Sequence, residues 1–139
     1  MGVEVDVIYD GGLRCRATHG PSGDTLPTDA PVDNGGQGAA FSPTDLVGTA
    51  MATCMVTIMG KVAEDKGLDI AGTKVHIVKE MITGAKRRIA SLNAIITLPP
   101  GRTYSAQERA MLENAAATCP VKRSLHPDVN VDIRFEYPD

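Results

Sequence analysis

The 139 residues predict an α+β fold of antiparallel strands and two main helices. Three observations carry this. Residues 3–8, 13–18 and 129–137 alternate apolar and polar, the period-2 signature of strands with one buried face. Residues 46–60 carry no charge and sit between a helix start and a helix stop. Ser105 to Glu108 reads as a capping box opening a second helix.

Taken in order, VEVDVI (3–8) is a strand and Asp10-Gly11-Gly12 a hairpin turn. LRCRAT (13–18) returns as a second strand, with Leu13, Cys15 and Ala17 on one face and Arg14 and Arg16 on the other. Gly20-Pro21-Ser22-Gly23 turns the chain into a short segment, 24–29, and residues 30–41 (APVDNGGQGAAF) read as a long loop. Loops of that length usually bind something or reach a partner.

Ser42-Pro43-Thr44-Asp45 then starts a helix, with Ser as N-cap, Pro at the first position and an acid near the positive dipole end. It can run to Lys66 with Gly67 as its stop, about 24 residues and roughly 36 Å. Apolar pairs recur every four residues along it (Leu46/Val47, Ala50/Met51, Cys54/Met55, Ile58/Met59, Val62/Ala63), which predicts burial over most of its circumference. One small domain rarely surrounds such a helix, so a second subunit is the expected cover. Residues 72–83 and 87–98 make an antiparallel hairpin about Gly84-Ala85-Lys86, broken by Pro99-Pro100-Gly101. The capped helix carries Met111, Leu112, Ala115 and Ala116 on one face, Pro120 starts a short turn or helix over 121–125, and 129–137 is the last strand.

A net charge of −3 without a long Lys/Arg run argues against a nucleic-acid partner, and 4% aromatics with no Trp against stacking platforms. No run reaches the roughly 18 consecutive apolar residues of a membrane span, and the first ten residues carry acids where a signal peptide needs basic residues and an apolar run. One domain over 1–139, with no membrane partner and a cytoplasmic location, is the expectation.

Cys15, Cys54 and Cys119 are an odd set, so no disulfide framework is expected, and they are too few and too scattered for zinc. Cys54 lies in the Leu46–Ala50–Cys54–Ile58 row, and Cys119 continues the Leu112–Ala115 face; if those faces pack together, the sulfurs meet. Two readings stay open at this level: thiols serving as small hydrophobes, or a redox pair in which a sulfenic acid condenses with a second thiol. Reactivity needs a thiolate, and mid-helix Cys54 gains little from the helix end, so a cation must come from elsewhere. Arg14 and Arg16 are the candidates, against the plainer reading of a solvated strand face; Lys122 and Arg123 stand close enough to tune Cys119, and Cys15 reads as core filler. His19, His76 and His126 have no metal-ligand spacing, a Cys119–His126 hydrolase pair lacks an oxyanion loop, and the glycines of 34–38 form no phosphate loop.

Phe41-Ser42-Pro43-Thr44-Asp45-Leu46, Ala52-Thr53-Cys54 within the helix, the 87–98 strand, and Ala117-Thr118-Cys119-Pro120-Val121 followed by Ser124-Leu125 resemble the OsmC/Ohr family (osmotically inducible protein C and organic hydroperoxide resistance protein) from about residue 3 to 137. The resemblance implies an intertwined homodimer, antiparallel sheets from both chains wrapping two long central helices, with active sites at the dimer interface. It implies that Cys54 is the peroxidatic thiol and Cys119 the resolving one, closing an internal disulfide. It further implies organic hydroperoxides as substrates, no bound metal or organic cofactor, and an external thiol reductant such as dihydrolipoamide on a lipoylated protein. The family reads Asn-Pro-Glu before the helix; here Thr44 takes the Glu position and Asp45 lies one place on, about 100° around. The family's Arg falls near Tyr9 in a strict alignment, with Arg14 the nearest substitute and Arg16 the second. The chain thus resembles an OsmC-like side branch.

The expectation is a thiol peroxidase in which Cys54, Cys119, Arg14, Arg16 and Asp45 carry the chemistry. Met51, Met55 and Ile58, with Phe41 at the helix entry, would form an apolar wall favouring alkyl peroxides. The alternative is a non-enzymatic dimer that binds small ligands or senses oxidation through the same pocket.

Overall fold

The computed structural model describes residues 2–84 and 86–138 and is mixed α+β, with two three-stranded sheets. The chain divides into two compact units, one up to Val47 and one from Gly48 onward.

In the first unit β1 (Val5–Gly11), β2 (Arg14–His19) and β3 (Thr25–Asp29) pair antiparallel in that order. Leu13 is expected on β2 but stands in the preceding turn, because the hairpin needs left-handed residues there: Gly12 at φ 63° and Leu13 at φ 64°. A two-residue turn with positive φ at both positions matches the twist of the flanking strands. The alternation beyond it places Val7, Ala17 and Leu26 in one cross-strand row, and Tyr9, Cys15 and Thr28 in the next. Arg14 stands opposite Asp29, and Arg16 opposite Ile8 and Pro27. The 30–41 segment contains a single 3-10 turn, Val32–Asn34, and folds back through the Gly38 amide, which donates to the Ala30 carbonyl at 3.2 Å.

Helix α1 spans Pro43–Asp65. Ser42 and Asp45 cap it reciprocally: the Asp45 amide donates to the Ser42 hydroxyl (3.1 Å), and the Ser42 amide donates to the Asp45 carboxylate (2.9 Å). At its far end Gly67, at φ 69°, lets the Leu68 amide turn back to the Ala63 carbonyl at 2.8 Å. By length and hydropathy α1 could cross a membrane; here Met51, Met55, Met59 and Ala63 form one of its faces and supply the core of the second unit.

That unit's sheet holds β4 (Lys74–Met81), β5 (Ile89–Thr97) and β6 (Asn130–Glu136), with β5 central. The β4–β5 hairpin is antiparallel as expected, although the Ala85 part of its predicted turn falls outside the described residues. The expectation of purely antiparallel strands is corrected at β6, which runs parallel to β5 from Ser91↔Asn130 to Thr97↔Glu136. Parallel neighbours need a long crossover. The chain supplies one in α2 (Ala106–Ala117, with Ser105 and Glu108 forming its capping box) and the single turn α3 (Pro120–Arg123). Leu92, Ala94 and Ile96 alternate inward from β5 to meet the α1 methionines, Leu112, Ala115 and Ala116 of α2, and Cys119. Leu92 is wholly buried, so Leu92→Ala should destabilise the fold by about 2–5 kcal/mol in urea denaturation.

Candidate active site

In the second unit the sequence places one thiol mid-way along α1 and another at the residue joining α2 to α3. The shared core brings these elements together, and the two thiols, both free, are near enough that Cys54 raises the pKa of Cys119. Their environments differ. Cys54 is half-buried, whereas Cys119 has no exposed surface.

Cys119 is also the N-cap of α3. The main-chain amide of Lys122 donates to its sulfur at 3.4 Å, and the sulfur points back to the Met51 carbonyl at 4.0 Å. The expected influence of Lys122 therefore arrives through its backbone amide, a consequence of Pro120 starting a helical turn directly after the cysteine. Burial is the dominant influence on Cys119 and pushes its thiol above the ordinary value. The Lys122 and Val121 amides pull the other way, and the Cys54 thiol adds to the rise. Cys119 is held as a neutral thiol at physiological pH, a proton-carrying partner beside a more accessible sulfur. Two reduced thiols so arranged can close a disulfide on two-electron oxidation.

Met51 and Met55, expected on a substrate wall, are fully buried core residues; at helical spacing they face β5 and α2. Ile58, one turn beyond Cys54, is half-buried at the edge of that core.

In the first unit Arg14 and Arg16 line an open concavity of about 340 Å³ together with Asp10, Cys15, Thr28 and Asp29. Arg14 donates from Nη2 to the Gln37 side-chain oxygen (2.9 Å), and its Nε lies 3.8 Å from an Asp29 carboxylate oxygen. Arg16 reaches Asp10 at 3.8 Å, with both side chains half-exposed or nearly so. Asp45 carries the α1 cap, and Phe41 is 53% exposed while its carbonyl accepts the Asp29 amide. Asp29 is the residue the sequence reading passed over. An acid closing a strand opposite an arginine, just before a glycine-rich loop, was the available signal. Among the described residues no cluster of three or more His, Cys, Asp or Glu could hold a metal. His76 lies on the exposed side of β4, and His19 and His126 pair locally with Ser22 and Asp128.

The profile of the OsmC-like protein family matches residues 35–134. A solved structure from Psychrobacter arcticus 273-4, provisionally described as an osmotic stress induced and detoxification response protein, is 41% identical. It matches over 94% of this chain and 93% of its own, with a TM-score of 0.88. The organic hydroperoxide resistance protein OsmC of Legionella pneumophila shares the fold at 16% identity, a TM-score of 0.76, and coverage of 98% and 97%. OhrB of Bacillus subtilis does so at 15% identity, a TM-score of 0.69, and 98% of each chain. No curated protein matches the chain.

Two outcomes follow from the thiol geometry. Iodoacetamide at pH 8 should modify Cys54 at least ~10-fold faster than Cys119 in the native reduced protein, as peptide mass spectrometry reads it, because Cys119 is sealed and protonated. A raised pKa in the fold means the protonated thiol favours the native state. That contribution is complete below about pH 9 and is lost as pH climbs from there towards the folded-state value. Urea melts should therefore show an alkaline loss of stability that is shallower in Cys119→Ala.

Proposed function

The chain belongs to the OsmC-like protein family, and from that premise we propose that it is a thiol-dependent peroxidase acting on organic hydroperoxides in the response to oxidative stress. The observation that carries the reading is the proximity of two free thiols of unequal exposure. Organic hydroperoxide resistance proteins of the same fold support it.

Cys54 attacks the peroxide as its thiolate. The sulfur takes the hydroxyl oxygen as sulfenic acid, the O–O bond breaks, and the alkoxide leaves as the alcohol by taking up the proton that Cys54 gave up. Cys119 then condenses with the sulfenic acid, so that an S–S bond forms and water departs. The buried, protonated state of Cys119 suits this order, since the second thiol stays out of competition for peroxide until an oxidised neighbour appears. A dithiol reductant, in solution or on a lipoylated or other thiol protein, returns both cysteines to thiols and leaves as its own disulfide.

The guanidinium assigned to the thiolate is Arg14, ahead of Arg16, because Arg14 has two partners restraining it and one of them is a fully buried carboxylate. Ile58 and Phe41 remain the accessible apolar candidates for contact with the peroxide's alkyl group. The protein acts as a homodimer. Val5, Val7 and Tyr9 project from one side of β1 at 55–63% exposure, with Leu26 in the same sheet at 40%. Apolar groups gathered in this way mark a surface that another chain covers.

Cumene hydroperoxide should be consumed catalytically with dihydrolipoamide or dithiothreitol. Cys54→Ser should lower turnover by at least ~10³-fold, and Cys119→Ser should leave a sulfenic acid that dimedone traps. Ligand-dependent melting without peroxide consumption would favour a binding or sensing protein, and turnover surviving Cys54→Ser would exclude this mechanism.

A further inference from the structure

Returning a Cys54–Cys119 disulfide to two thiols requires a reductant sulfur to attack one of the two protein sulfurs. The attacking, central and departing sulfurs of such an exchange lie close to one line. A reductant that attacks Cys119 must therefore approach from the side opposite Cys54, and one that attacks Cys54 from the side opposite Cys119. Both cysteines, and the groups that decide between the two approaches, belong to the second unit.

The approach to Cys119 is closed. The residue has no exposed surface and sits in the core that α1, α2 and β5 share. Its Sγ is held between two backbone groups, accepting the Lys122 amide at 3.4 Å and facing the Met51 carbonyl at 4.0 Å. Met51 and Leu112 are wholly buried in the same core, so clearing a path through it would expose both. The approach to Cys54 is open. Cys54 is half-buried, and Ala50, Thr53 and Thr57, which flank it on α1, are small and exposed. The Thr53 and Thr57 hydroxyls donate back to the Thr49 and Thr53 carbonyls, at 2.9 and 2.7 Å, which keeps these side chains against the helix wall.

We propose that the reductant attacks the disulfide at Cys54, so that turnover passes through a mixed disulfide on Cys54 with Cys119 as the departing sulfur. The inference rests on the peroxidase reading and names the atom at which the second substrate, a dithiol, is accepted. One reductant thiol gives its proton to water and attacks as the thiolate. A bond forms between its sulfur and that of Cys54, the Cys54–Cys119 bond breaks, and the electron pair goes to the Cys119 sulfur. The Lys122 amide, already a donor to that sulfur, meets the new negative charge, and a proton from water then restores the thiol. The second reductant thiolate attacks the reductant sulfur of the mixed disulfide, expels Cys54 as a thiolate and closes the reductant's own disulfide. Two electrons pass from the dithiol to the protein. Cys54 thus receives the peroxide and the reductant in turn, and Cys119 meets neither.

The peroxide-oxidised native protein is mixed with β-mercaptoethanol, quenched in acid within a second, unfolded and capped with N-ethylmaleimide. Peptide mass spectrometry without reduction then reads which cysteine carries each group. Mercaptoethanol on Cys54 with maleimide on Cys119 should exceed the reverse pair at least ~10-fold, since access selects the sulfur attacked. A second measurement uses Thr57→Trp, an exposed position from which a long side chain lies back over the turn holding Cys54. Its disulfide should be cleaved by dithiothreitol at least ~5-fold more slowly than the native one, and at the native rate once both are unfolded in urea. Equal adducts on the two cysteines, an excess on Cys119, or cleavage of folded Thr57→Trp within twofold of native overturns the inference and leaves the peroxidase reading intact. Absence of the Cys54–Cys119 disulfide after peroxide treatment overturns the peroxidase mechanism and this inference with it.

Discussion

The contact between the Cys54 and Cys119 sulfurs depends on one packing constraint, the burial of the α1 methionine face against β5 and α2. Met51 and Met55 flank Cys54 on the helix and are fully enclosed, so the helix cannot rotate about its axis without exposing them. That fixes the direction in which Cys54 projects. Leu112, Ala115 and Ala116 anchor α2 in the same core, and the chain leaving α2 delivers Cys119 directly into it. The reactive geometry is thus a by-product of ordinary hydrophobic packing. The methionines serve as the jig that holds the pair.

The two sulfurs differ in environment. The same core that seals Cys119 desolvates it and favours the neutral thiol, while the amides of the turn it caps moderate that effect. Cys54, on the helix flank, keeps partial access to solvent. Burial is the largest of the influences that set Cys119 apart.

Much of this was legible in the sequence because it is written in local signals. The Ser42–Asp45 and Ser105–Glu108 boxes, Gly67 at the end of α1, and the strict alternation of β6 each act within a few residues, and each lies where the pattern places it. The parallel pairing of β6 with β5 was not legible, since alternation marks a strand's faces and says nothing of its direction. Leu13 escaped for a related reason: its alternating position mimicked a strand residue, while the turn's demand for positive φ took precedence. Met51 and Met55 lie on the apolar stripe that suggested a substrate wall, but a stripe cannot distinguish a wall from a core. The burial of Asp29 was not legible, because loss of water around a side chain is a tertiary property.

The crossover that joins β5 to β6 also has a temporal side. Cys54 leaves the ribosome about 65 residues before Cys119, several seconds earlier at roughly 5–20 residues per second. Cys119 arrives only with the crossover, and the sheet that holds the crossover closes only when β6 is made. During biosynthesis, then, a solitary Cys54 thiol precedes the pair.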